Sequence, residues 1–258
     1  MWSKNKLKFV RSLAQKKYRD AEGAFLAEGP KAVGELAARF NCRFLVATAD
    51  YLSANPHIRA AEVDEVSLRE LAQASCLTTP HDVLAVFDKP VAPAPFQLST
   101  TRLSLVLDGV QDPGNLGTII RLADWFGIPD VICSRDSADA FAPKVVQATM
   151  GALARVQVVY ADLPALLKTV PRDFPVYGTF MEGDNIYAAP LSPNGLLVMG
   201  NEGNGISPEV GSLVNRRIHI PSFPLGRPTV ESLNVAVATA VACAEFRRQT
   251  AAAPHTSL

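Results

Sequence analysis

A chain of 258 residues, 48% hydrophobic and 19% charged, is long and apolar enough for two folded domains, which excludes a disordered chain. Four cysteines and four histidines are scattered without C-x-x-C or H-E-x-x-H spacing, so we expect no metal site and reduced, buried thiols. The N-terminal residues lack the apolar stretch of a secretory signal, and no apolar window is long enough to cross a bilayer. We therefore expect a cytoplasmic protein with no membrane role.

The net charge is zero, yet the first twenty residues carry seven basic side chains and one acidic side chain. This segment has helical spacing over residues 3–19, with apolar residues on one face and lysines on the other. A solvated helix face and an RNA-binding face are equally good interpretations of it. RNA binding needs only local positive charge, so the neutral total does not exclude it.

Strand and helix patterns then alternate up to residue 89. Strands are predicted at FLAEG, CRFLVAT, AEVDEV and VLAVFDK, and helices at KAVGELAARF, DYLSA and SLRELAQAS. The alternation predicts a small α/β domain over residues 1–92. Closely spaced prolines interrupt the pattern, so residues 93–100 are predicted to be a linker.

The alternation restarts in residues 101–250, the predicted second domain. Strands are predicted at RLSLVLDGV, DVICSR, VQVVYA, PVYGTF, GLLVMG and RIHIP. Helices are predicted at LGTIIRLADWFG, PKVVQATMGALA, LPALLKTV, PEVGSLVN and SLNVAVATAVACAEFRRQ. Strands this apolar, separated by helices, indicate a parallel sheet covered on both faces, whose ligands bind beyond the carboxyl ends of the strands.

Three loops that follow predicted strands are rich in Gly, Asn and Pro. They are DPGNLGTIIR at 112–121, GNEGNGIS at 200–207, and IPSFPLGRPTVESLNVAVA at 220–238. One such loop is most simply a turn. The second loop matches neither the G-x-x-x-x-G-K-[ST] nor the G-x-G-x-x-G phosphate-binding pattern. Three of them together indicate a site where backbone groups approach a flat ligand closely.

These loops carry a specific resemblance. DPGNLGTIIRLADWFGI, LVMGNEGNGIS and IP…SLNVAVA occur in this order and spacing in the SpoU (TrmH-like) family of RNA ribose 2′-O-methyltransferases, which the chain resembles over about residues 100–249. KYRDAEGAFLAEGPKAVGEL resembles the ribosomal-protein-like RNA-binding domain often fused ahead of it. The resemblance implies a parallel SPOUT sheet with a C-terminal trefoil knot, S-adenosylmethionine as cofactor, and a homodimer whose two subunits assemble the site.

The resemblance also implies roles for individual residues. The catalytic group would comprise Asn115, Arg121, Glu202, Ser232 and Asn234. Cofactor contacts, largely through the backbone, would come from Thr179, Gly200, Asn201, Ile220 and Leu233. Each polar catalytic candidate has a simpler interpretation: the two asparagines as turn or helix caps, Ser232 as the N-cap of the last helix, and Glu202 as a surface carboxylate or a partner of Arg121.

Arg121 could act as a base or as a charge clamp on the RNA. A guanidinium has no acceptor lone pair, so the energetics favour the clamp, which would stabilise the ribose alkoxide electrostatically.

The chain departs from the family pattern at two places. The loop 222–231 is longer than usual, and Gln147 stands at a position where arginine is common, which implies that one RNA contact is absent.

Ribosomal RNA is the favoured substrate. The alternatives are a transfer-RNA 2′-O-methyltransferase, a non-catalytic RNA-binding or ribosome assembly factor, and a base methyltransferase, which should lack the SLN motif.

Overall fold

The computed structural model describes residues 2–90, 98–224, 230 and 232–251, and the chain divides into two compact units. One unit is Met1–Pro93 with Asp139–Arg155, and the other is Ala94–Ala138 with Val156–Leu258. The predicted limits, 1–92 and 101–250, stay a prediction, and most of the predicted linker lies outside the described residues. No helix in the described ranges is long and apolar enough to cross a membrane.

The N-terminal unit contains a mixed sheet. Its strands are β1 (Ala24–Glu28), β2 (Cys42–Ala47), β3 (Glu62–Glu65) and β4 (Val83–Asp88), in the order β1-β4-β2-β3. The helices of its first segment are α1 (Lys4–Ser12), α2 (Lys16–Glu22), α3 (Pro30–Ala37), α4 (Ala49–Ala54) and α5 (Leu68–Ala74). β4 is antiparallel to β1 and β2, whereas β3 is parallel to β2, which confirms a small α/β arrangement.

The single helix predicted over residues 3–19 is wrong, because α1 ends at Ser12 and α2 begins at Lys16. The chain turns at Leu13, whose side chain is fully buried. Arg19 Nη1 donates hydrogen bonds to the carbonyl oxygens of Leu13 (2.8 Å) and Ala14 (2.9 Å), which satisfies acceptors that the break leaves open.

The second unit is built on six described strands, all in parallel pairs, as predicted. They are β5 (Leu103–Leu107), β6 (Asp130–Ser134), β7 (Gln157–Ala161), β8 (Val176–Asn185), β9 (Gly195–Met199) and β10 (Arg216–His219), in the order β10-β8-β9-β5-β6-β7. Every residue of β5, β6 and β9 is buried. Since successive side chains point to opposite faces, both faces of the central sheet are covered.

Helices α6 (Pro113–Trp125), α8 (Leu163–Lys168), α9 (Pro208–Gly211) and α10 (Val235–Ala251) belong to this unit. α6 packs against α10, so the last helix returns beside the first helix of the unit. Strand order and register do not describe the path by which the chain returns, and the trefoil knot therefore stays a prediction.

Residues 139–155 form α7 (Pro143–Thr149) and a 3₁₀-helix (Ala152–Ala154), and they pack within the N-terminal unit. The Phe141 ring lies 4.9 Å from the Phe25 ring, centroid to centroid. Gly151 has φ +92°, and a Cβ there would lie 2.5 Å from Glu35 Cβ, so only glycine allows this approach. Helices from the middle of the chain thus complete the N-terminal unit, whose sheet is built entirely from its first segment.

Candidate active site

Two of the three polar loops are joined by hydrogen bonds beyond the neighbouring strands β5 and β9. The Ser207 amide donates to Asp108 Oδ2 (2.7 Å), and Asn201 Nδ2 donates to the Gly109 carbonyl (2.8 Å). The Asp108 amide donates to the Met199 carbonyl (2.9 Å), which continues the strand pairing into the loops. The loop after β5 and the loop after β9 therefore form one structure.

Asn115 connects all three loops through its side-chain amide. Its Nδ2 donates a short hydrogen bond to Glu202 Oε1, and its Oδ1 accepts one from Asn234 Nδ2 (3.0 Å). Asn115 lies in the first turn of α6, where its backbone amide donates to Asp112 Oδ1 (2.8 Å), the N-cap. All three side chains belong to the catalytic group that the family resemblance implies, and the structure brings them together. We call Asn115, Glu202 and Asn234 the polar triplet.

Asn234 also caps α10. Its Oδ1 accepts hydrogen bonds from the Ala236 amide (3.0 Å) and the Val237 amide (3.3 Å). The interpretation of Ser232 as the N-cap is therefore wrong, because Asn234 holds that position and Ser232 lies exposed two residues earlier. Helix capping and membership of the polar triplet are compatible, since one uses the amide oxygen and the other uses the amide nitrogen.

Arg121 does not join the polar triplet. It lies six residues after Asn115 on α6, which turns its side chain by about 120° around the helix axis. It is exposed and has no hydrogen-bond or ion-pair partner among the described residues. Glu202 contacts Asn115, and no contact between Glu202 and Arg121 of the same chain is found among the described residues, so the suggestion that Glu202 holds Arg121 stays a prediction.

Arg121 lines a surface cavity of about 360 Å³ on the α6–α10 face. The other lining residues are Thr118, Leu122, Trp125, Phe126 and Ala240. Trp125 is 83% exposed, and Val237 on α10 is 51% exposed. The α6–α10 face therefore combines exposed apolar surface with Arg121, which is unpaired in the part of the chain that the structure describes.

Three of the predicted cofactor residues follow strands and two do not: Gly200 and Asn201 directly follow β9, Ile220 follows β10, Thr179 lies within β8, and Leu233 lies just before α10. The three strands are neighbours in the sheet. Thr179 and Ile220 are half-buried, Gly200 is buried and Leu233 is 46% exposed. A Cβ at Gly200 would lie 2.2 Å from the Gly205 carbonyl carbon, so the loop closes on itself at this glycine. The predicted loop 222–231 is described only in part, and its residues 225–229 and 231, Arg227 among them, lie outside the described residues.

Asn201 organises the loop after β9. Its Oδ1 accepts from the Gly203 amide (2.9 Å) and the Asn204 amide (3.1 Å), and its backbone forms a reciprocal pair with Gly205 (2.9 Å each). The structure thus gives Asn201 a loop-forming role, while its contact with a cofactor stays a prediction.

Three residues that were not predicted from the sequence, Asp108, Ser134 and Ser137, support the first loop. Asp108 is 9% exposed and holds the Ser207 amide, as described above. Ser134 Oγ accepts from the Gly109 amide (2.8 Å) and lies 2.9 Å from Ser137 Oγ. The available signal was a polar residue at the end of each of two buried parallel strands, the usual place for site residues.

Within the described residues, no group of three or more His, Cys, Asp or Glu side chains is arranged to hold a metal ion. An all-parallel α/β sheet, with polar loops from several strands meeting at one end, matches the SPOUT class of methyltransferases.

Comparison with known proteins gives the family. Residues 102–244 match the SpoU rRNA methylase family, and residues 4–85 match the MRM3-like substrate binding domain. The chain belongs to the SpoU rRNA methylase family.

Several relatives show how far the similarity extends. A TrmH-family protein structure from Porphyromonas gingivalis is 49% identical, with a TM-score of 0.88 over 96% of this chain and 99% of that one. An AdoMet-bound rRNA methyltransferase from Sinorhizobium meliloti is 28% identical, with a TM-score of 0.83 over 96% of each chain. The Bacillus subtilis 23S rRNA (guanosine(2553)-2'-O)-methyltransferase RlmP is 35% identical over 63% of this chain and 63% of its own length.

Proposed function

We propose that this protein transfers a methyl group from S-adenosylmethionine to a ribose 2′-hydroxyl of structured RNA, with ribosomal RNA as the substrate. The observation that supports this most directly is the polar triplet, in which each of three loops beyond a parallel sheet contributes one side chain. The RlmP relative is named for this reaction on 23S rRNA.

The residues predicted to hold S-adenosylmethionine fit it. Ile220 and Leu233 offer apolar surface for an adenine ring. The Thr179 hydroxyl makes two long hydrogen bonds, to the Val198 carbonyl (3.4 Å) and to Met199 Sδ (3.7 Å), which a ligand would readily replace. The sulfonium cofactor supplies the electrophilic methyl group when bound. This chain's own residues would orient the ribose and stabilise the charge on its oxygen.

Within the polar triplet, Glu202 would fix the orientation of the Asn115 amide, and the Asn115 and Asn234 amides would position the ribose. Arg121 would clamp an RNA phosphate and favour the alkoxide, because its guanidinium is exposed and is unpaired among the described residues. Ser232, exposed beside Asn234, would contact the same ribose.

We further propose that the working form is a homodimer joined through the α6–α10 face. Its exposed apolar residues, Trp125 and Val237, are suited to burial against a second copy. Since Arg121 points away from the polar triplet of its own chain, it would serve the triplet of the other subunit. Each active site would then contain residues of both chains.

The N-terminal unit would bind the RNA. Lys4, Lys8 and Arg11 are spaced to lie on one face of α1, and none forms an ion pair within the described residues. Lys6 and Arg19, in contrast, form ion pairs with acidic side chains. Residues 1–20 therefore offer fewer free positive charges to RNA than their sequence suggests. The remaining cations form a stripe suited to phosphates.

The decisive test of the proposed function is to incubate the protein with S-adenosylmethionine and unmodified ribosomal RNA and to identify methylated nucleosides in RNA digests. A 2′-O-methylated nucleoside is expected. A base-methylated nucleoside would overturn the assignment of the reaction. Methylation of transfer RNA but not of ribosomal RNA would overturn the proposed substrate. Tight RNA binding without methylation would indicate an assembly factor. We also propose that the second unit contains a trefoil knot and that the protein is cytoplasmic.

A further inference from the structure

Arg247, in the last third of α10, reaches across to the carboxyl end of α6. Its Nε donates to the Phe126 carbonyl (2.6 Å) and its Nη2 donates to the Gly127 carbonyl (3.0 Å). These carbonyls end α6, where helical partners run out and the helix dipole favours a cation. A guanidinium fork matches two consecutive carbonyls in a way that a single ammonium group does not.

The same two helices are also joined at their amino ends, by the hydrogen bond from Asn234 to Asn115. The contacts therefore pair residue 115 with 234 and residue 126 with 247, so α6 and α10 run parallel. The separation of the two contacts along α6 is about 16 Å at 1.5 Å per residue. One contact alone would let the helices splay, whereas two contacts fix both their axial register and their angle.

We infer that Arg247 is a positioning residue for methyl transfer: by holding the carboxyl end of α6, it keeps Asn234 in register with Asn115. This rests on the proposed function of the polar triplet. Displacement of a reacting group by about 1 Å can lower a rate by about a hundredfold, so a loosened helix pair should slow the chemical step. Cofactor affinity should not change, because the predicted cofactor residues belong to neither helix and, apart from Leu233, are supplied by β8 and by the loops after β9 and β10.

Arg247→Lys and Arg248→Lys form a matched pair of variants, with the same substitution at adjacent positions and the same net charge. Arg248 pairs with Glu245 within α10 (2.7 and 2.6 Å), a contact that lysine can keep. In single-turnover assays with the full-length protein, Arg247→Lys should lower the methyl-transfer rate about tenfold or more while the Kd for S-adenosylmethionine stays unchanged. Arg248→Lys should match the wild type in both.

A second readout does not depend on activity. The amides of Ala236 and Val237 are protected through Asn234 and lie far along α10 from residue 247. Their hydrogen exchange should be faster in Arg247→Lys and unchanged in Arg248→Lys. Unchanged exchange and rate in Arg247→Lys, or a uniform loss of protection and cofactor affinity, would overturn the inference. If the wild type transfers no methyl group, the proposed function fails, and the exchange comparison still decides the role of Arg247.

Discussion

Arg19 and Asp139, 120 positions apart in sequence, form a buried ion pair in which Arg19 Nε (3.0 Å) and Nη2 (2.6 Å) both donate to Asp139 Oδ2. The side chains are 3% and 11% exposed. Removing one partner leaves a charge buried without compensation, so Asp139→Ala should lower the free energy of unfolding by about 3 kcal/mol or more.

The control for this prediction is Lys6→Ala, which removes a cation whose pairs with Glu62 and Asp64 are more exposed. It should cost about 1 kcal/mol or less. Chemical denaturation of both variants provides the comparison. Equal losses in the free energy of unfolding would show that burial does not make the Arg19–Asp139 pair more important for stability than an exposed pair.

Asn234 has two roles that substitution can separate. Asn234→Ala removes the cap of α10 and should cost about 1 kcal/mol of stability as well as activity. Asn234→Asp keeps a good cap but loses the amide donor to Asn115 Oδ1 and places a second carboxylate near Glu202. We expect Asn234→Asp to melt near the wild-type temperature yet lose methyl transfer. Full activity in the aspartate variant would limit Asn234 to capping.

Arg121→Ala should lose about a hundredfold in methylation rate and keep its cofactor affinity, since its proposed partner is the RNA. Arg121→Lys should also have a low methylation rate, because the compact charge of an ammonium group does not replace the planar guanidinium with its two parallel donors. Calorimetry and single-turnover kinetics measure the two quantities. A near-wild-type rate in the alanine variant would remove Arg121 from the catalytic group.

The cross-subunit arrangement can be tested by mixing inactive variants. An Arg121→Ala subunit and an Asn115→Ala subunit together contain one intact site if Arg121 serves the other chain. Denaturing and refolding an equal mixture should restore about a quarter of the wild-type rate, because half of the dimers are mixed and each has one such site. No recovery, with dimers confirmed by sedimentation, would place Arg121 in the site of its own chain.

Gly200→Ala tests the loop that would hold the cofactor. The new Cβ would collide with backbone atoms of Gly205 and Ile206, at 2.2 and 2.3 Å, so the loop must move. Gly203→Ala is the matched control, since its Cβ would make ordinary contact at 3.5 Å with Asn201 Oδ1. We expect calorimetry to show loss of S-adenosylmethionine binding in the first variant only. Intact binding in Gly200→Ala would contradict the cofactor assignment.

The thiols give a prediction that does not depend on function. Cys42, Cys133 and Cys243 are buried, as predicted, whereas the prediction is wrong for Cys76, which is exposed. Burial raises the pKa of Cys133 and of Cys243 to about 12, so both stay protonated at neutral pH. Iodoacetamide at about pH 8 should therefore label Cys76 first in the native protein, and slowly, because desolvation and the nearby Glu28 carboxylate raise the pKa of this thiol as well. Mass spectrometry would identify the site, and early labelling of Cys133 would refute the buried core.

Much of the fold follows from local sequence. Predicted strands such as β5 and β9 were confirmed because buried, largely apolar runs of five residues between helical patterns have few alternatives. The break between α1 and α2 was missed because Arg19 satisfies the freed carbonyls while bound to Asp139, a residue far along the chain. The sequence motifs did not predict that Glu202 contacts Asn115 and not Arg121 of the same chain. Six residues separate Asn115 from Arg121 on α6, so their side chains point in different directions, and matching motifs does not take this spacing into account.

The contribution of Asp139–Arg155 to the N-terminal unit has a consequence for protein synthesis. The ribosome releases residues 2–90 first, and at that stage Arg19 has no carboxylate partner from Asp139 and Phe25 has no Phe141 ring against it. By the time residue 155 emerges, β5 and β6 of the other unit have already been made. The two units therefore fold over overlapping intervals. A chain halted before residue 139 would contain all four strands of the N-terminal sheet but would leave exposed the surface that residues 139–155 cover, which favours aggregation.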